Sequence, residues 1–180
     1  IPSNPIYYGS MVLSSGMTVS AAVLPATWIF YANSAATITF NAGTKTLAYT
    51  VEIAHKGTFN WTGATTLTKN LTVDAGSTCT LGANMSVAAL IVDGVLTGAS
   101  YSGTATGSLT GAGSVTLGTY TGTTIAPTSG STGTFDFGTC TLSGSYNKGT
   151  SDSNLTIGSG GMTCSAFTFG GTGSTGTLTT

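Results

Sequence analysis

Short apolar pulses closed by glycine recur through most of the chain, and few folds accept such a pattern. Leu71-Thr72-Val73-Asp74-Ala75-Gly76 is followed by Cys79-Thr80-Leu81-Gly82, Leu90-Ile91-Val92-Asp93-Gly94 and Val95-Leu96-Thr97-Gly98. The same unit returns at Phe135-Asp136-Phe137-Gly138, Leu155-Thr156-Ile157-Gly158 and Phe167-Thr168-Phe169-Gly170. Apolar side chains two residues apart share one face of a strand, and glycine turns the corner. No window shows the i, i+3, i+4, i+7 spacing of an amphipathic helix, and Thr, Val and Ile favour pleated backbone. The expected class is all-β. A single turn of this kind cannot bury its inner face, so turns must stack, as in a β-solenoid (parallel β-helix). An antiparallel β-sandwich with tight hairpins predicts similar pulses and is the alternative.

Residues 1–61 differ from the rest. They hold three of the four prolines, both tryptophans and His55. Ala36 to Phe40 and Thr44 to Ile53 alternate as strands do. This part reads as an N-terminal β-rich attachment or assembly segment, with residues 62–180 as the repetitive solenoid-like domain. The assembly interface is expected at its apolar and aromatic residues Ile6, Tyr7, Tyr8, Trp28, Ile29, Phe30 and Tyr31. The chain starts with Ile1 and stops within a Gly/Thr run, so a processed product or a fragment is expected.

Charge is the compositional outlier. Asp, Glu, Lys and Arg make up 5% of the chain, against about 25% in ordinary soluble domains. Thr, Ser and Gly supply roughly half of the residues instead. Nucleic acid is not an expected partner, because binding it needs clustered Lys and Arg. No run approaches the ~20 apolar residues of a spanning helix. With a formal net charge of -1, charge repulsion does not keep copies apart, so life within an assembly is expected.

Catalytic constellations are weak, and an enzyme is not expected. Asp74 and Asp93 occupy similar turns before glycine, where Asp is favoured for local hydrogen bonding; on neighbouring turns they would face each other as a carboxylate pair. His55 reads as an exposed loop residue. Cys79, Cys140 and Cys164 read as small apolar residues of a β core, with one disulfide and a spare thiol as the alternative. No cofactor and no metal site is expected. The Asn-X-Ser/Thr triplets at Asn60, Asn70, Asn84 and Asn154 are attributed to chance in a Thr-rich chain.

The segments 71–81 and 90–98 resemble the repeat region of parallel β-helix adhesins and phage fibre or appendage proteins. The resemblance implies an elongated fold, a homotrimer or filament, and attachment to a larger particle or cell surface. It places the chain outside the cell or on a virion, as a non-catalytic structural subunit. A surface adhesin, or an ice- or glycan-binding module, is the alternative. Thr-X-Thr triplets at 37/39, 44/46, 66/68, 78/80, 104/106, 119/121, 132/134, 139/141 and 177/179 resemble the ice-binding face of β-solenoid antifreeze proteins, and exposed aromatics would suit a host glycan.

Overall fold

The chain folds as an all-β parallel solenoid of about six turns, as a computed structural model shows. The structure describes residues 58–180 throughout. Before them it describes the strands Ile6–Tyr7, Met11–Val12, Thr27–Tyr31 and Thr37–Asn41, and residues 44, 46–48 and 50–54. His55, Lys56 and Tyr8 lie outside the described residues. Every strand pairing described is parallel, which excludes the antiparallel sandwich. Among the described residues no helix is long and apolar enough to cross a membrane.

Each turn has three walls. The first wall is a separate sheet that includes Thr50–Ala54, Leu71–Val73, Leu90–Val92, Ser108–Gly111, Thr124–Pro127 and Ser145–Asn147. The second and third walls merge where three long strands bend from one to the other: Val95–Ala105, Ser114–Gly122 and Thr134–Leu142. The bend is visible as a register shift between Gly98 and Ser102. The ladders run unbroken across residue 61: Phe59 pairs with Ile38 on one side and Cys79 on the other. Side-chain hydrogen bonds between neighbouring turns join residues 17 to 23 apart, so turn length varies while strand register holds.

The sequence pulses are the inward faces of these walls. Burial alternates along most of them, as in Phe59/Trp61, Leu71/Val73 and Phe135/Phe137; the pulse at Phe167 is the exception and is exposed. Stacking puts like on like: Leu71, Leu90 and Leu109 follow one another on the first wall, and Val115, Phe135 and Leu155 on the second. Where one turn carries a bulky residue, its neighbour is cut back. A Cβ on Gly103 would sit 2.7 Å from Leu117 Cδ1, and one on Gly98 would sit 2.8 Å from Leu81 Cβ. These inward glycines are the holes that the two leucines fill, as close packing requires.

The corners between the first and second walls stack still more tightly. Gly94, Gly113 and Gly133 form a column in which a Cβ would collide with a backbone carbonyl oxygen of the turn below: Ser77 for Gly94, Gly94 for Gly113, Gly113 for Gly133. Two of these carbonyls are hydrogen-bond acceptors of the ladder: Val95 N–H donates to Ser77 O and Ser114 N–H to Gly94 O, both at 2.9 Å.

Two phenols enter the core without partners. Tyr120 and Tyr146 are fully buried, and neither hydroxyl finds a hydrogen-bond partner. Tyr120 stacks on Phe137 with ring centroids 5.4 Å apart. An unpaired buried hydroxyl costs about 1–3 kcal/mol, whereas removing it in the same shape is neutral or better. Tyr120→Phe is therefore expected to leave the urea midpoint unchanged or raise it; a clear fall would mean that the hydroxyl is bonded in solution.

Candidate functional site

Among the described residues, the outward side chains of the third wall make the most regular surface. Alternation exposes every second residue, and register stacks them. The central column runs from Thr46 through Thr66, Ser86, Thr104, Thr121 and Thr141 to Thr163, each in register with the next. Every position in it carries a hydroxyl. On one side Ser102, Thr119 and Thr139 stack in register. On the other, hydroxyls climb the corner: Thr123 Oγ1 donates to Thr106 O at 2.8 Å, and Ser165 Oγ to Gly144 O at 2.6 Å. With Thr106, Thr123 and Ser143, each two residues beyond a member of the central column, the result is a three-by-three block centred on Thr121. No ionisable side chain interrupts these three columns.

The wall is grooved. A shallow cavity of about 400 Å³ runs between the columns, edged by Thr104, Thr121 and Thr141 and floored by Ala105, Gly122 and Leu142. A second, of about 270 Å³, is edged by Thr66, Ser86 and Ser102. The second wall is less regular: its outward columns include Val95 and Asp136 among the threonines.

The residues expected to form an assembly interface come together in part. Ile6 and Tyr7 pair with Ile29 and Phe30. Trp28 and Phe30 stand in register with Val51 and Ile53. Tyr8 lies outside the described residues.

Asp74 and Asp93 hold turns. Asp93 Oδ1 accepts the Ala112 N–H at 2.9 Å, and the Asp74 backbone carbonyl accepts Ser77 N–H at 2.9 Å. Asp152 repeats the arrangement, its Oδ1 accepting Thr175 N–H at 2.7 Å. The carboxyl that senses Asp74 is Glu52, held above its ordinary value first by burial and then by that neighbour. Among the described residues no group of three or more His, Cys, Asp or Glu is placed to hold a metal. Two of the four Asn-X-Ser/Thr asparagines bind the turn above through Oδ1: Asn84 to Ser102 N–H at 2.9 Å and Asn154 to Thr177 N–H at 2.9 Å.

All three thiols are free. Cys79 and Cys140 are fully buried core residues, as the apolar reading of these strands expects, and Cys164 is half-buried. Burial pushes the Cys79 thiol far up; burial, then the neighbouring Cys164, pushes Cys140 up to about 12. Because the thiolate is the reactive form, one thiol per chain is expected to react with a maleimide in the native state and three in denaturant. Equal labelling of all three in the native state would contradict the buried placement. The phenol of Tyr146 is likewise pushed up to about 12, by burial and then by Cys140. These groups are neutral when protonated and are raised in the folded state. Their contribution is complete below the unfolded values, 9.0 for Cys and 10.0 for Tyr, and is lost above them. Thermal stability is expected to decline from about pH 9 upwards.

No family model, no curated protein and no solved structure matches the chain.

Proposed function

We propose that the protein is a non-catalytic structural subunit of an extracellular filament or virion appendage, acting as a rigid repeat that assembles and presents a surface. The observation that carries this reading is the uninterrupted parallel ladder. Each turn is fixed to the next by backbone hydrogen bonds and by a continuous core, so rigidity extends along the whole stack. The walls are built of hydroxyl and small side chains, and copies can approach without desolvating ions.

Electron microscopy of the purified protein, read with its mass by light scattering, tests the proposal. Rods, fibres or a defined elongated oligomer are the expected result. A stable monomer at every concentration would contradict it.

A further inference from the structure

The third wall does more than rigidity requires. Strands in a sheet lie ~4.8 Å apart, and alternate residues along a strand lie ~6.7 Å apart, so the two hydroxyl columns carried on the strands form a grid with those two spacings, and the third continues it onto the corner. The central column keeps its hydroxyl through Thr, Ser and Thr again while the turns change in length. A flexible or compact ligand has no use for the same contact at seven successive levels. A ligand that meets all of them must repeat at the same interval, and that describes a crystalline surface.

Three features select which crystal. First, threonine gives each grid point a hydroxyl and a methyl on one stiff β-branched side chain. In the flanking column the hydroxyls of Thr106 and Thr123 are tied to carbonyls below, at 3.4 and 2.8 Å, which fixes their rotamers; the central hydroxyls of Thr121, Thr141 and Thr163 are exposed to solvent. Second, the groove between the columns, about 400 Å³, has room for roughly a dozen waters at ~30 Å³ each. Its walls are hydroxyl and methyl, and its floor is apolar. Third, the block contains no aromatic ring, the platform on which a sugar face stacks, so a crystalline polysaccharide is a poor match.

We infer that this wall binds ice: ordered water in the grooves joins the face of a growing crystal, whose oxygen rows repeat at a spacing close to that of the strands. The grid is pre-organised by the ladder, so little side-chain freedom is lost on adsorption. This goes beyond the structural role and does not depend on it.

The test is ice growth in a solution of the full chain, scored by crystal shape and by the gap between melting and freezing temperatures. Faceted crystals and a measurable gap are expected. Thr121→Lys, at the centre of the block, is expected to abolish both, and Thr121→Val, which keeps shape and methyl, to retain part of them. Thr116→Lys, on the second wall, serves as the control, with circular dichroism to show that each variant is folded. Ice growth indistinguishable from that in buffer would overturn the inference. So would equal losses in Thr121→Lys and Thr116→Lys, or sedimentation with crystalline chitin or cellulose without any effect on ice. None of these results changes the oligomeric state read by light scattering, so failure here is distinct from failure of the assembly proposal.

Discussion

Gly133→Ala is expected to cost upward of about 3 kcal/mol, a large part of a typical domain's stability. The added methyl meets the carbonyl oxygen of Gly113, and neither partner can swing away as a side-chain tip would. The two turns must separate at this corner, which strains the bond from Thr134 N–H to Ser114 Oγ, 3.0 Å long. Stability in a stacked repeat depends on such nearest-neighbour interfaces, so the damage uncouples the turns on either side. The informative control is Gly130→Ala. Gly130 has φ of 74° but nothing within 4 Å of its would-be Cβ, so the cost there is backbone strain alone, about 1 kcal/mol. Urea unfolding followed by circular dichroism separates the two cases. If Gly130→Ala proved the more damaging, the close approach of the turns would be wrong.

Phe137→Ala is expected to cost about 3–5 kcal/mol, in the range for a buried aromatic cut to alanine. Phe137 is fully buried, lies in register between Leu117 and Ile157, and stacks against Tyr120. The turns are fixed by backbone ladders on three walls, so the cavity has little scope to collapse. Phe137→Leu retains most of the volume and is expected to lose far less. Phe167→Ala, at a site 44% exposed, is expected to fall well below Phe137→Ala. Similar losses at positions 137 and 167 would contradict the difference in burial between them.

The glycine-closed pulses carry the fold because burial with period two is a local property of the strand. Phe135-Asp136-Phe137 and Leu155-Thr156-Ile157 can be assigned inward and outward without knowing what lies next to them. The number of walls is not local. It depends on where the long strands bend, and the bend at Gly98 to Ser102 uses residues that also suit a strand interior. The inward glycines Gly98 and Gly103 look like turn signals in sequence, yet they are core positions whose volume Leu81 and Leu117 supply from neighbouring turns.

The threonine wall was half legible for a related reason. Triplets such as Thr104/Thr106, Thr119/Thr121 and Thr139/Thr141 stand out, but their spacing is uneven because the corners absorb insertions. Ser86 and Ser102 continue columns that a search for threonine alone breaks. Counting hydroxyls of either kind from each inward pulse, rather than from each other, would have aligned them. Asp74 and Asp93 show the converse: similar in sequence and close in the stack, they hold turns, with the Asp93 carboxylate directed at Ala112.

The stacking of the third wall is open to direct measurement. With the native cysteines replaced, spin labels at Thr66 and Thr163 span five strand spacings, and pulsed dipolar spectroscopy is expected to give a narrow distance near 24 Å. Moving the second label to Thr141 and then to Thr121 is expected to shorten it by about 5 Å at each step. A broad distribution, or a distance that does not fall in equal steps, would contradict the in-register parallel solenoid on which the wall and its proposed ligand depend.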